Sequence, residues 1–197
     1  MGKVGASFDI VSVIALQMAE FCNHRMYSTT YHINSAQIAD LNAVIQLFKA
    51  YAASLNINLS YQDFEMELAT LPGKYAPPEG ALLLAQNLKD EPIGCVALRP
   101  LTIEGCCEMK RLYVSPKARG LGLGQALITA ILYEASKLGY TEMRLDTLPS
   151  MAQAISLYEK AGFFPIEPYY ETPIAGTLFF AKTLSKPTPR LVLDSAD

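Results

Sequence analysis

The sequence predicts a mixed α/β fold in which one sheet carries helices on both faces. Two observations support this prediction. Apolar runs spaced like antiparallel strands occupy the first half of the chain, and a strand, helix, strand succession follows in the second half. The 197 residues, of which 51% are hydrophobic and 18% charged, can bury the core of one domain. We therefore expect one folded domain rather than a disordered chain.

The two ends of the chain are expected to lie outside this domain. Residues 1–25 are expected to be an N-terminal extension, either an extra helix packed on the domain or a segment that the fold does not require. Its apolar run between Asp9 and Glu20 has only ten residues, whereas a membrane-spanning helix needs about 20. No A-x-A cleavage site follows, so neither a membrane segment nor a signal peptide is expected. The domain is predicted over residues 26–184, and residues 185–197, with two prolines, form a tail.

The first elements of the domain are a strand and a long helix. MYSTTYHI, residues 26–33, is rich in Thr and Tyr and suits a strand. Ser35 is expected to cap the helix that follows over residues 36–55. The residues expected on its buried face, at three- and four-residue spacing, are Ile38, Leu41, Ile45 and Phe48.

The middle of the domain is predicted to contain a short helix and three strands. The helix covers residues 61–68 and ends at the breaker LPGKYAPPEG. The apolar runs 81–86 and 92–101 are separated by a turn and predict a hairpin. CCEMKRLYV, residues 106–114, predicts the next strand.

The second half supplies the parallel unit of the fold. After the loop SPKARGLGLG, the predicted elements are a helix over 125–139, a strand over 142–147, a helix over 152–162, and terminal strands over 163–166 and 177–184. A helix between two strands of one sheet predicts a crossover connection, which makes the sheet mixed.

Charge and cysteine content exclude several function classes. The net charge of −3 and the pI near 5.4 give no reason to expect a nucleic-acid partner. No C-x-x-C pair occurs and the chain has only two histidines, so no metal site is expected. A reducing, cytoplasmic location fits this pattern. The four cysteines are Cys22, Cys95, Cys106 and Cys107.

The run RGLGLG, Arg119 to Gly124, is the strongest candidate for a binding loop. The dinucleotide fingerprint G-x-G-x-x-G fails because Gln125 stands at its last position, and no Lys follows Gly124 as a nucleotide-triphosphate loop requires. Glycines before a helix let backbone amides point at an anion such as pyrophosphate. The alternative is that the glycines only allow tight packing of strand and helix.

Two motifs carry a resemblance to a known family. RGLGLG fits the pattern [RQ]-x-x-G-x-[GA] and follows an L-x-V-x-P strand end at Leu112 to Pro116. AISLYEKAGF, residues 154–163, resembles A-x-x-L-Y-x-x-x-G-F. With the β-α-β order between them, residues 26–184 resemble the GNAT superfamily of acyl-coenzyme A N-acyltransferases. The resemblance implies a mostly antiparallel central sheet in which the strands 106–114 and 142–147 splay apart.

The resemblance also implies acetyl-coenzyme A (acetyl-CoA) as the cofactor. Its pantetheine arm would bond to backbone in the gap between the splayed strands, and its pyrophosphate would bind the glycine loop. Met151 stands where many relatives carry Asn, so that polar contact is lost or moved to Ser150. The cofactor-binding residues implied are Leu112, Tyr113, Val114, Arg119, Gly120, Leu121, Gly122, Leu123, Gly124, Gln125 and Ser150.

Two catalytic residues follow from the resemblance and from the chemistry of acyl transfer. An ammonium has no lone pair, so a base must deprotonate it, and Glu108 is the candidate. The alternatives are a water relay, and a purely structural Glu108 paired with Lys110 or Arg111. Tyr158 is the candidate acid at the leaving sulfur, the alternative being a ring that only packs in the core. Strict alternation would separate Glu108 from Arg111 unless a bulge intervenes.

The acceptor is predicted to be a small amine or an amino acid. Arg111 would hold an acceptor carboxylate if it faces the cleft, and Tyr169 and Tyr170 are expected at the acceptor end. The expected reaction is direct transfer in a ternary complex. Two alternatives stay open: a domain that senses acyl-CoA without turnover, and an N-acetyltransferase for proteins or peptides. The oligomeric state is open, a homodimer included.

Overall fold

The computed structural model describes residues 26–27, 30–55 and 63–185 of the chain. The predicted N-terminal extension, residues 1–25, lies outside the described residues. So does the predicted tail apart from Ser185. The statements that follow concern the described residues.

Eight strands form one sheet. They are β1 (Met26–Tyr27), β2 (Tyr31–Ser35), β3 (Ala81–Asn87), β4 (Pro92–Pro100), β5 (Cys106–Val114), β6 (Glu142–Thr147), β7 (Phe164–Ile166) and β8 (Leu178–Thr183). Their order across the sheet is β1-β2-β3-β4-β5-β6-β8-β7. Every neighbouring pair is antiparallel except β5 and β6. The predicted mixed, mostly antiparallel fold is confirmed.

Four α-helices among the described residues cover the sheet. They are α1 (Leu41–Ser54), α2 (Phe64–Ala69), α3 (Leu123–Lys137) and α4 (Ala152–Lys160). Short 3₁₀ turns precede α1 and α3 and follow α2, at Ile38–Asp40, Pro116–Ala118 and Gly73–Tyr75. None of the helices in the described residues is long and apolar enough to cross a membrane.

Alternating residues of the strands build a separate core on each face of the sheet. Leu82 and Leu84 of β3 pack under α1 and α2, whereas Leu83 and Ala85 pack under α3 and α4. This is the period-two pattern that a strand buried on both faces requires. It explains why the middle strands read as continuous apolar runs.

The first predicted strand is wrong in its topology. Residues 26–33 do not form one strand, because Tyr27 lies opposite His32 in an antiparallel pair. The chain therefore reverses direction within this stretch and makes two strands. A Thr- and Tyr-rich composition favours strands, but it does not show where a turn interrupts one.

The predicted start of the long helix is also wrong. Ser35 is the last residue of β2, and the first helical turn is the 3₁₀ turn, whose Asp40 side chain accepts a hydrogen bond from the Gln37 amide at 2.8 Å. Ile38 is 88% exposed rather than buried. Because the turn before α1 is not α-helical, its side chains do not continue the α-helical periodicity. The residues that α1 buries fully are Val44, Leu47 and Phe48.

A bulge interrupts β5 at Arg111. Lys110 pairs with Ala97 of β4, whereas Tyr113 pairs with Cys95, so β5 has one extra residue in this interval. Arg111 has a φ of 58°, in the left-handed region that residues with a Cβ atom rarely adopt. The bulge that the sequence left open is therefore present. It places Arg111 on the same face as Lys110, the face covered by α1 and α2.

The cysteines of the described residues are free and buried. Cys95, Cys106 and Cys107 lie within β4 and at the start of β5. No group of His, Cys, Asp and Glu in the described part of the chain could hold a metal ion. The cytoplasmic location stays a prediction.

Candidate active site

A cleft opens where β5 and β6 separate. These parallel strands pair only from Cys106, opposite Glu142, to Glu108, opposite Arg144. Beyond Glu108, β5 continues to Val114 without a partner in β6. The splayed strand pair is therefore confirmed, and it leaves backbone groups of β5 available to a bound molecule.

The glycine loop presents a row of backbone amides at the start of α3. No amide from Gly120 to Gln125 donates a hydrogen bond to another described residue, and the first such bond of the helix runs from Ala126 N to Gly122 O at 3.1 Å. Gly120 and Gly122 have φ values of 82° and 72°, which favour glycine. Free amides at a helix N-terminus attract an anion, because the helix dipole is positive there.

The loop and the free edge of β5 line the same cleft, which has a volume of about 660 Å³. Tyr51 and Leu55 from the end of α1, and Leu157 of α4, complete its walls. Leu121 alone among the predicted cofactor residues lies outside, with 46% of its surface exposed. The predicted residues that line the cleft are Leu112, Tyr113, Val114, Arg119, Gly120, Gly122, Leu123, Gly124, Gln125 and Ser150.

Tyr158 is buried in α4, close to the splayed strands. Its ring meets those of Phe163 and Phe180, with centroid distances of 6.0 and 6.4 Å. Burial raises the pKa of its hydroxyl above the ordinary value of 10, and Tyr51 and Asp146 raise it further. The hydroxyl is therefore protonated at neutral pH and can serve as a hydrogen-bond donor.

Glu108 has no exposed surface, and both of its carboxylate oxygens are engaged. Arg99 Nε donates to Oε2 at 2.6 Å, and the Tyr169 hydroxyl donates to Oε1 at 2.7 Å. Lys110 Nζ lies 3.9 Å from Oε1. From the sequence, the expected partners of Glu108 were Lys110 or Arg111 on its own strand. The structure adds Arg99 from β4 and Tyr169 from the segment after β7.

Lys110 and Asp146 bridge the two strands where they have begun to separate. Lys110 Nζ donates to Asp146 Oδ1 at 2.7 Å, and their side chains are 8% and 15% exposed. Burial alone would lower the pKa of Lys110, but Asp146 and Glu108 outweigh it and the net pKa is raised. Lys110 therefore remains charged.

Comparison with known proteins identifies the family. The family model described as "Acetyltransferase (GNAT) family" matches residues 43–163, more than half of the chain. The protein belongs to the GNAT family. The resemblance carried by RGLGLG and by AISLYEKAGF is thereby confirmed.

Two curated relatives and one solved structure show how similar this chain is to other acetyltransferases. An uncharacterized N-acetyltransferase of Schizosaccharomyces pombe is 42% identical over 147 residues, covering 75% of this chain and 90% of that protein. IAA acetyltransferase of Azospirillum brasilense is 33% identical over 147 residues, covering 73% and 92%. A phosphinothricin acetyltransferase from Sinorhizobium meliloti in complex with AcCoA has a TM-score of 0.61 at 20% identity, covering 85% and 98%.

As a GNAT protein, the chain is an acyl-CoA-dependent acyltransferase, and acetyl-CoA is its acetyl donor. The cleft fits this donor. The unpaired amides of Gly120 to Gln125 suit a pyrophosphate, and a Cβ atom built at Gly120 or Gly122 would meet no protein atom within 4 Å, so the space beside both glycines is open.

The residues predicted for the acceptor lie together on the α1 and α2 face of β5. Arg111 donates from Nε and Nη2 to Glu67 at 2.9 and 2.6 Å, and its side chain is only 2% exposed. The rings of Tyr169 and Tyr170 are 5.3 Å apart and pack on Phe179. Arg111 therefore faces the side of the sheet on which the acceptor was predicted, and the Glu67 carboxylate is bound to it.

Three residues of this face were not singled out from the sequence: Glu67, Arg99 and Asp146. Asp146 stands in the strand EMRLDT between Leu145 and Thr147, which are buried. Because side chains of a strand alternate between its two faces, this position indicates that Asp146 faces away from the core under α3 and α4. Arg99 is the one charged residue of the apolar strand β4. Glu67 belongs to a short helix whose position beside β5 no local pattern reveals.

Proposed function

We propose that this protein transfers the acetyl group of acetyl-CoA to the primary amine of a small molecule or amino acid. The observation that carries the proposal is the continuity of one cleft, from the row of free amides at Gly120 to Gln125 along the unpaired edge of β5. The first part suits a diphosphate and the second suits an extended amide-containing arm. Acetyl-CoA supplies the acetyl group as a reactive thioester.

Direct transfer in a ternary complex fits the cysteines that the structure describes, Cys95, Cys106 and Cys107, better than a covalent acyl-cysteine does. Burial raises the pKa of Cys95 and of Cys107, and burial together with Glu142 raises that of Cys106. A thiol reacts as its thiolate, and these groups are protonated at neutral pH. None of them lines the cleft.

Tyr158 acts in this proposal as the hydrogen-bond donor to the leaving sulfur. Its raised pKa keeps the proton on the phenol, so full proton transfer to a thiolate, with an ordinary pKa of about 8.5, is uphill. A hydrogen bond to the developing negative charge needs no such transfer. Such stabilisation by a fixed donor in a buried site is a large catalytic effect.

Asp146 is our candidate for the group that takes the proton of the amine. Glu108, predicted from the sequence, is fully buried and accepts bonds from Arg99 and Tyr169, which leaves a substrate little access to it. Asp146 is partly exposed, and only its Oδ1 atom is engaged, by Lys110. It also lies near enough to Tyr158 to raise its pKa. Glu108 then has the role of a positioning residue.

The test is acceptor-dependent release of free thiol from acetyl-CoA, with acetyl-CoA binding measured separately by calorimetry. The acceptors are amino acids, polyamines and short peptides at equal concentration. We expect binding without any acceptor, and turnover with at least one small amine or amino acid. Binding with no turnover in any class would favour an acyl-CoA sensor, and turnover of peptides alone would favour a protein N-acetyltransferase.

A further inference from the structure

Arg111 of β5 and Arg99 of β4 lie on the acceptor face of the sheet, and their bonding differs. Arg111 on β5 has its guanidinium committed to Glu67, through Nε at 2.9 Å and Nη2 at 2.6 Å. Its guanidinium carbon also lies 5.1 Å from the ring centroid of Phe64 and 5.8 Å from that of Tyr51. Because the donors are used and the rings cover the group, Arg111 has little left for a substrate.

Arg99 on β4 is bonded through one nitrogen only. Its Nε donates to Glu108 Oε2 at 2.6 Å, and no described residue accepts a hydrogen bond from Nη1 or Nη2. The side chain is 30% exposed, against 2% for Arg111. Burial alone would lower the pKa of Arg99, but Glu108 outweighs it, and the guanidinium stays charged.

Glu108 holds Arg99 in place for binding. The two residues face each other directly in the register of β4 and β5. The second oxygen of Glu108 accepts the Tyr169 hydroxyl at 2.7 Å, so the carboxylate itself is fixed from two sides. An arginine anchored at Nε presents its two Nη groups as a fork, which matches the two oxygens of a carboxylate.

The charges around this fork are otherwise compensated. Glu67 pairs with Arg111, Lys110 with Asp146, and Glu108 with Arg99. Among the described arginines of this face, Arg99 and Arg144 are both partly exposed and bonded through Nε alone, but the guanidinium carbon of Arg144 lies 5.4 Å from the ring centroid of Tyr169. An anionic group that enters the acceptor side therefore meets Arg99 as the cation whose Nη groups no ring covers.

The position of Arg99 limits the size of the acceptor. Arg99 and Asp146 lie on β4 and β6, on either side of β5, and Asp146 stands two residues beyond the last paired position of β6, so more than two strand spacings, or more than roughly 10 Å, separate their backbones. Both side chains lie on the same face, and that of arginine is long enough to span much of this gap. An amine at Asp146 and a carboxylate at Arg99 would fit in one small molecule.

We propose that the acceptor carries a carboxylate as well as its amine, and that the Nη groups of Arg99 bind that carboxylate. The inference rests on the proposed acetyltransferase function and narrows its substrate to amino acids. It replaces the expectation that Arg111 binds the acceptor. Tyr169 and Glu108 act through Arg99, as positioning residues.

The experiment compares each amino acid with its own carboxamide as acceptor. Thiol release from acetyl-CoA gives kcat/KM for both, corrected for the fraction of neutral amine at the assay pH. We expect the wild-type protein to prefer at least one acid over its amide. Arg99→Gln should lower this acid-to-amide ratio by about 100-fold, as expected when one partner of a buried charge pair is lost.

Two further variants separate binding from folding. Arg99→Lys keeps the charge but not the fork, so we expect an intermediate ratio. Lys137→Gln is the matched control, because Lys137 is also ion-paired and 30% exposed but belongs to α3, which packs on the other face of the sheet, and its ratio should equal that of wild type. The acetyl-CoA dissociation constant reports folding in each variant, since the glycine loop does not contain these residues.

The outcomes distinguish this inference from the proposed function. Amides that are acetylated as well as acids, or a ratio unchanged in a folded Arg99→Gln protein, would overturn the role of Arg99 and leave the acetyltransferase function standing. Acetyl-CoA binding without turnover of any acceptor would overturn both.

Discussion

Arg111 forms a two-bond ion pair with Glu67, and this pair ties the bulge of β5 to α2. The Nε to Oε1 distance is 2.9 Å and the Nη2 to Oε2 distance is 2.6 Å. The pair joins residues from distant parts of the sequence. Arg111, which the sequence predicted to bind the acceptor, is thus bound to a protein carboxylate, and the pair holds Arg111 in its left-handed backbone conformation.

Removal of this pair should cost stability in a pH-dependent way. Burial raises the pKa of Glu67, but the hydrogen bonds and charge of Arg111 outweigh it, and the net pKa is lowered. A glutamate whose pKa is lower in the folded state stabilises the fold at pH values above its unfolded pKa of about 4.3. That stabilisation is lost as the pH falls through the folded-state pKa. Glu67→Gln should therefore lose about 3 kcal/mol of unfolding free energy at pH 7.

Urea unfolding at pH 7 and at pH 3.5 measures this difference, which should shrink at the lower pH. Glu134→Gln is the control, because Glu134 pairs with Lys137 one helical turn away on the surface of α3. It should cost less than about 1 kcal/mol at either pH. An equal loss for Glu67→Gln at both pH values would show that the ion pair is not the cause.

Tyr158→Phe should lower kcat by about 100-fold, because it removes the donor at the leaving sulfur. The acetyl-CoA dissociation constant should change less than about twofold, since the ring contacts with Phe163 and Phe180 remain. Tyr133→Phe, on an exposed position of α3, should leave kcat unchanged. An unaltered rate in Tyr158→Phe would remove this tyrosine from the mechanism.

The value of kcat should also not fall, up to about pH 10, through loss of the Tyr158 proton. Burial, Tyr51 and Asp146 all raise the pKa of its hydroxyl above the ordinary value, so the proton needed for donation is retained throughout that range. A profile of kcat against pH, recorded for wild type and for Tyr158→Phe, measures this. A decline near pH 8 that disappears in the variant would contradict the shift.

Gly122→Ala should weaken acetyl-CoA binding by about tenfold or more, because its Cβ atom would project into the open space beside the amides and its φ of 72° is strained for alanine. Gly139→Ala is a matched control. Gly139 has a φ of 88° and open space around a Cβ atom, but it lies at the other end of α3 and outside the cleft.

Calorimetry and thermal unfolding separate the two effects. Both alanine variants should lose a similar amount of stability, on the order of 1 kcal/mol, from the strained backbone. Only Gly122→Ala should lose affinity. Equal affinities in the two variants would mean that the loop does not approach the pyrophosphate.

Asp146→Asn and Glu108→Gln should affect the pH profile differently. If Asp146 takes the amine proton, Asp146→Asn lowers kcat/KM by about 100-fold and flattens its acidic limb. Glu108→Gln should keep the shape of that limb and raise KM for the acceptor, because it loosens Arg99. If instead Glu108→Gln flattens the acidic limb and Asp146→Asn does not, Glu108 is the base. Unchanged acetyl-CoA binding is the control for folding.

The sequence predicted most strand and helix positions, because apolar periodicity reflects burial. The residues of β5 and β6 were predicted with the bounds that the structure shows. The errors occur in the first predicted strand, where Tyr27 pairs with His32, and at Ile38. At both places the backbone changes direction or pitch, which side-chain composition alone does not encode.

Short local motifs predicted the family and, through the family resemblance, the acetyl donor, and they indicated RGLGLG as the candidate cofactor loop. These depend on short motifs whose function is carried by backbone, so adjacent residues suffice to reveal them. Tertiary structure alone decided how the charged residues are partnered. Arg111 binds Glu67, Lys110 binds Asp146, and Arg99 is left with free donors. Such pairs join different elements, and their geometry depends on one bulge and on the splay of two strands, which no local pattern specifies.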